Sequence, residues 1–181
     1  LRFSAFNVVS IATTTGYAST DYALWPMFAP LWMLFLSSFA TSAGSTGGGI
    51  KMIRAIVLYK QVYRELTRAM HPNAIHPVKI GSELVPSNIL FAVLAFGFMY
   101  MVCIVSMTLA LSFSDLEIVT AFTAVVASIN NTGPGLGQVG PATNFGSLSD
   151  FQTWVCTFAM LLGRLEIFTL LVVITPAFWR K

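Results

Sequence analysis

The sequence predicts an all-α integral membrane fold made of parallel repeats, each a spanning helix, a reentrant half-helix ending in a polar loop, and a second spanning helix. Three observations carry that reading. Of 181 residues, 56% are hydrophobic and 9% charged, with a mean hydropathy of +0.76, against roughly 25% charged in soluble domains. The charges are segregated: none lies between Asp21 and Lys51, between Glu83 and Asp115, or between Glu117 and Asp150, and each gap exceeds the roughly 20 residues that cross a bilayer. Finally, two helical stretches too short to cross each end in a polar loop closed by glycine, Gly16 in one and Gly133 in the other.

The net charge of +3 and pI near 9.1 reflect membrane topology, and no nucleic-acid partner is expected. Lys51, Arg54, Lys60, Arg64, Arg68 and Lys79 fall in one connecting segment and Arg180 and Lys181 at the C-terminus, whereas Asp21, Asp115, Glu117 and Asp150 mark the opposite ends of the apolar runs. By the positive-inside rule the basic side is cytoplasmic. Arg2 is the exception, at the start of the chain. Cys103 and Cys156 lie inside apolar runs with no partner at metal-ligand or disulfide spacing, so they read as small apolar residues. No cleavable signal pattern opens the chain, and Leu1 falls within a predicted helix, which leads us to expect a natural start upstream.

In chain order, a half-helix over Arg2–Ile11 leads into the polar loop Thr13-Thr14-Thr15-Gly16-Tyr17. The apolar run Trp25–Thr41 is a helix interrupted by Ser42-Ala43-Gly44-Ser45-Thr46-Gly47-Gly48-Gly49, where four glycines in six residues make a break. Ile50–Met70 is amphipathic and basic, a helix emerging into the cytoplasm and ended by His71-Pro72-Asn73. Ser87–Ser112 is long enough to span. Glu117–Ser128 is a helical pattern covering on the order of 18 Å, short of a 30 Å hydrocarbon core, and it stops at Ile129-Asn130-Asn131-Thr132-Gly133-Pro134-Gly135-Leu136-Gly137. The polar loop to Asp150 returns outward, and Phe151–Trp179 is read as one further span.

The order half-helix, polar loop, helix therefore occurs twice. Superposing Val8 on Val125 and Val9 on Val126 brings Thr15 onto Thr132 and Gly16 onto Gly133. A second register pairs Trp32 with Trp154 and sets Arg164 opposite Ser42, at the edge of the glycine break. Both copies run in the same direction, a parallel repeat about a membrane normal. The chain divides accordingly into residues 1–70, a repeat without its first helix; 71–86, a cytoplasmic connector; and 87–181, a complete repeat.

Non-helical backbone at membrane depth is tolerated only where it is buried in protein or lines a watery cavity, so two such loops imply a pore. A potassium ion entering it must exchange water for backbone carbonyls, presented best by small residues with a glycine to supply unusual dihedrals. Thr13, Thr14, Thr15, Gly16 and Asn130, Asn131, Thr132, Gly133 supply that chemistry, with the carbonyls of Thr14, Thr15, Asn131 and Thr132 as the expected potassium ligands. Each half-helix ends just before its loop, so the negative end of its dipole faces the ion. The alternative is an ordinary polar turn at each place.

These residues carry a family resemblance covering nearly the whole chain. It resembles the Trk/Ktr/HKT potassium transporter superfamily, and within it the C-terminal half of a TrkH-type potassium-uptake subunit. Thr13–Tyr17 resembles the third selectivity-filter loop, Asn130–Gly137 the fourth, and Ser42–Lys51 the intramembrane gate loop. His71-Pro72-Asn73 resembles the cytoplasmic connector, and Gly163-Arg164-Leu165-Glu166 with Thr175-Pro176-Ala177-Phe178-Trp179-Arg180 the terminal helix. The resemblance implies four potassium-channel-like M1-P-M2 repeats in the complete protein, of which the third in part and the fourth in full are present here. Pro134 stands where potassium channels carry an aromatic after the glycine, implying a looser filter. It further implies potassium uptake across the bacterial inner membrane by a multi-pass homodimer bound to a TrkA-type cytosolic nucleotide-binding subunit, with no organic cofactor in this chain and no enzymatic activity.

Gly44, Gly47, Gly48 and Gly49 are expected to form a movable constriction, the alternative being a close-packing site for a neighbouring helix. Arg164, placed by the reading near the middle of the last span, is expected to face the pore as a fixed positive charge, the alternative being a buried structural arginine. The rival function is a secondary transporter with discontinuous helices for another cation or small solute, a class marked by inverted repeats. A serine hydrolase is excluded, because His71 and His76, the only histidines, fall in the connector, away from Ser42 and Ser45.

Overall fold

The computed structural model describes residues 1–39, 48–71, 76–165 and 167–179. Helix α1 (Arg2–Ala12) is followed by a 3-10 turn at Tyr22–Leu24 and by α2 (Phe28–Phe39). Helix α3 (Met52–Met70) leads through β1 (Lys79–Ile80) and β2 (Glu83–Leu84) to α4 (Ser87–Phe113). Then come α5 (Ile118–Ile129), 3-10 turns at Gly137–Val139 and Phe145–Ser147, α6 (Asp150–Arg164), α7 (Ile167–Ile174) and α8 (Pro176–Trp179).

The element lengths follow the apolar runs. With 27 residues, α4 rises about 40 Å and crosses a bilayer core, whereas the 12 residues of α5 cannot. Helix α5 is buried from Thr123 through Ile129, while Ile118, Val119 and Phe122 near its start are exposed. It packs between α4 and α6 and also touches α2. Ala121, Ala124 and, from α6, Ala159 are fully buried in these contacts, small side chains that let the helix backbones approach.

Start signals are explicit where they occur. At α6 the Gln152 backbone N–H donates to Ser149 Oγ (3.4 Å) and the Ser149 N–H to Gln152 Oε1 (2.9 Å), a capping box. The Gln152 amide also donates to the carbonyl (3.1 Å) and hydroxyl (3.0 Å) of Ser114, tying the start of α6 to the end of α4. In the connector, Lys79 pairs with Leu84 and Ile80 with Glu83 in a two-residue antiparallel ladder. Val78 joins Val57, Leu90 and Val93 in a small core between α3 and α4. Pro72 and Asn73 of the predicted connector motif lie outside the described residues, as do Gly44 and Gly47 of the glycine break.

One expectation is corrected. The last apolar stretch is not one continuous helix over Phe151–Trp179: α6 ends at Arg164 and α7 starts at Ile167. Arg164 is thus the last residue of a helix and exposed, at a break in the apolar stretch rather than inside a continuous helix. A cation at a helix C-terminus meets the negative end of the dipole and avoids the cost of a charge amid an unbroken apolar span. The register that pairs Trp32 with Trp154 also pairs the first residues of α2 and α6, Phe28 and Asp150.

Candidate functional site

The two polar loops share three cap hydrogen bonds at matching positions. At the end of α1 the N–H groups of Thr13, Thr14 and Thr15 donate to the carbonyls of Val9 (2.9 Å), Ile11 (3.1 Å) and Ser10 (2.8 Å). At the end of α5 those of Asn130, Asn131 and Thr132 donate to Val126 (3.0 Å), Ser128 (3.0 Å) and Ala127 (2.9 Å). Donors and acceptors correspond one to one in the register of Val8 with Val125. Both sets form a Schellman cap, in which a residue in left-handed conformation lets the chain turn back over the helix end. That residue is Thr14 in one loop (φ 55°) and Asn131 in the other (φ 53°), and positive φ recurs two residues on at Gly16 (81°) and Gly133 (101°). Asparagine tolerates the left-handed region; a β-branched threonine there is a true outlier, the kind of strain that accumulates at functional sites.

The caps leave specific carbonyls available. Those of Val9, Ser10 and Ile11, and of Val126, Ala127 and Ser128, are taken by the turning chain. Among the hydrogen bonds between described residues, none is accepted by the backbone carbonyls of Thr14, Thr15, Asn131 or Thr132. The Thr13 hydroxyl bonds within its own helix to the Val9 carbonyl (2.7 Å) and shares a hydrogen bond with the Thr15 hydroxyl (2.8 Å).

The structure also brings the loops together. A Cβ on Gly16 would collide with the Thr132 carbonyl oxygen and lie 3.4 Å from the Pro134 ring, whereas one on Gly133 would meet nothing within 4 Å. The Thr132 hydroxyl is buried with no partner among the described residues and borders a small cavity between the repeats lined by Ile11, Tyr22, Met33 and Ser37. Burial, and then the neighbouring Asp21 carboxylate, pushes the Tyr22 phenol up to about 12, so this wall is neutral at physiological pH.

The C-terminal end of α5 is enclosed on both sides by backbone. From α6, Gly163 abuts the Ile129 carbonyl so closely that a Cβ would overlap it, and the Asn131 amide bridges to the Met160 carbonyl at 3.3 Å. From the other side, Gly48 rests on the Ile129 and Asn130 carbonyls, and Gly49 (φ 83°) on the Ser38 carbonyl. Gly48 and Gly49 of the predicted gate are therefore in direct contact with the fourth loop, and Arg164 follows the glycine that touches its helix end. The sequence reading assigned Asn130 a carbonyl role only. Its side chain, Tyr100 and the close approach of Gly163 were missed, although a tyrosine inside an apolar span is itself a signal, because its hydroxyl needs a partner.

A short half-helix, a capped loop with carbonyls unpartnered among the described residues, and a broken following helix, present twice with α4 as the leading span of the second copy, define an all-α membrane transporter of M1-P-M2 repeats. The family model described as "TrkH: Cation transport protein" matches residues 2–181, and the chain belongs to that family. It is 46% identical over 176 residues to the Trk system potassium uptake proteins TrkH of Vibrio parahaemolyticus and Escherichia coli K12, covering 97% of this chain and 36% of each relative. Identity to the E. coli Trk system potassium uptake protein TrkG is 37% over 178 residues, covering 98% of this chain and 36% of that one. The crystal structure of the potassium transporter TrkH from V. parahaemolyticus superposes with a TM-score of 0.89 at 46% identity, covering 97% of this chain and 37% of that one. The chain thus spans somewhat more than a third of the length of these relatives.

Proposed function

We propose that this chain contributes two of the loops of a potassium-selective filter to a protein that takes up potassium across the bacterial inner membrane. The carrying observation is the duplicated cap, with left-handed Thr14 and Asn131 at matching positions and four loop carbonyls left without partners among the described residues. A dehydrating potassium ion exchanges water for the carbonyls of Thr14, Thr15, Asn131 and Thr132, and the negative helix ends of α1 and α5 favour its charge. The names of the relatives, potassium uptake proteins of a Trk system, support potassium as the cargo.

In this reading residues 1–70 and 87–181 form two repeats joined by a cytoplasmic connector, 71–86. Gly48 and Gly49 belong to an obstructing segment beneath the filter, a location that their contact with the end of α5 supports; Gly44 and Gly47, assigned to the same gate, lie outside the described residues. Arg164 adds a fixed positive charge that repels potassium at the constriction. The complete protein works as a homodimer with a TrkA-type cytosolic regulatory subunit. The test is Gly133→Ser in the full-length protein, because a side chain there meets open space and alters the loop rather than the packing. Discrimination of potassium over sodium should fall more than expression does, and unchanged discrimination in flux assays removes the filter assignment.

A further inference from the structure

Asn130 is fully buried at the C-terminal cap of α5, and its carboxamide is held by three side chains from two other helices. Its Oδ1 accepts from the Tyr100 hydroxyl at 2.8 Å, and its Nδ2 donates to Ser37 Oγ at 3.0 Å and Ser38 Oγ at 2.9 Å. The orientation is determined by the network: both serine hydroxyls donate to the Leu34 carbonyl (2.7 and 3.4 Å), which leaves their oxygens to accept from an amide N–H. Tyr100 belongs to α4, and Ser37 and Ser38 to the last turn of α2, in the other repeat. Gly49 faces the carboxamide without a side chain: a Cβ there would lie 3.1 Å from Oδ1.

The corresponding residue of the other loop is Thr13, whose hydroxyl, among the described residues, finds partners only in its own helix and loop. One loop is thus anchored locally and the other through long-range contacts. The anchor continues outward: the Tyr100 ring stacks on Phe96 (centroids 6.4 Å apart, 21° between planes), and the Arg54 guanidinium lies 4.2 Å over the Phe96 ring.

We infer that Tyr100, Ser37 and Ser38 are positioning residues for ion selectivity, acting through the Asn130 carboxamide. The inference rests on the reading of the loops as an ion filter. Asn130 is the cap from which the positive-φ turn at Asn131 and Gly133 departs, so the torsion held by its side chain sets where the Asn131 and Thr132 carbonyls lie. Loss of one partner leaves a buried polar atom unsatisfied, and the cap relaxes to recover a bond. Selectivity, which depends on carbonyl placement, then suffers before transport capacity does.

The experiment measures rubidium uptake and its inhibition by sodium in cells lacking other potassium uptake, using the full-length protein and normalising to assembled protein in the membrane. Tyr100→Phe and the double variant Ser37→Ala/Ser38→Ala are compared with Gly133→Ser. Discrimination is expected to fall about tenfold in both anchor variants, with a smaller loss of maximal uptake. Unchanged discrimination in the anchor variants while Gly133→Ser loses it overturns the inference and leaves the filter reading standing. Unchanged discrimination in all three removes the filter reading and this inference with it. If only one anchor variant assembles, its discrimination decides; failure of both to assemble assigns these residues to folding and overturns the inference.

Discussion

The same substitution at the two loop glycines should have different costs, because the surroundings differ while the backbone does not. Gly16 and Gly133 both have positive φ, 81° and 101°, where an L-residue pays about 1–3 kcal/mol of strain. Alanine recovers about 0.4–1 kcal/mol of that by restricting the unfolded chain. At Gly133 nothing lies within 4 Å of the new methyl group, so Gly133→Ala should destabilise by about 1–2 kcal/mol. At Gly16 the methyl falls on the Thr132 carbonyl oxygen, a backbone atom that cannot swing away as a side chain does, and overpacking adds about 1–3 kcal/mol. Gly16→Ala should therefore be the worse by roughly the overpacking cost. The assay is thermal unfolding of the purified full-length protein in detergent, all variants at one heating rate because such transitions are kinetic. Equal shifts, or a larger shift for Gly133→Ala, would refute the close approach of the two loops. The collision has a functional corollary: Gly16→Ala should disturb potassium over sodium discrimination through the opposite loop, by displacing Thr132.

Two further outcomes are expected. Gly163→Ala places a methyl on the Ile129 carbonyl, so α6 must move off α5; the melting temperature should fall and rubidium uptake with it, and a variant with wild-type melting and uptake would show that the contact yields freely. Arg164→Ala removes a cation from the end of α6, next to the enclosed end of α5. Surface-normalised rubidium uptake should rise if the charge is a barrier, whereas a fall per assembled molecule would end that reading.

Much of the architecture was legible because it follows from local rules. The length of an apolar run decides whether a helix can cross, which separates α4 from α5 without tertiary information. A helix that stops at small polar residues followed by glycine can close with a left-handed cap, and this made both loops and their common register visible from Val8, Thr15 and Gly16 against Val125, Thr132 and Gly133. The break after Arg164 was not legible. No proline or run of glycines marks it, and although Arg164 and Glu166 interrupt the apolar pattern there, two charges do not by themselves require the backbone to turn.

Charge segregation, helix length and loop chemistry belong to the sequence because each depends on neighbours a few residues away. The roles of Asn130, Tyr100, Ser37, Ser38 and Gly163 belong to the tertiary structure. A buried amide has several hydroxyls within the chain that could satisfy it, and a glycine in an apolar helix can equally be a packing site or a neutral substitution. Helix packing alone decided that α2 and α4 meet behind one loop and that α6 closes on the end of α5, because hydrogen bonds between residues 30 and 93 positions apart have no local signature.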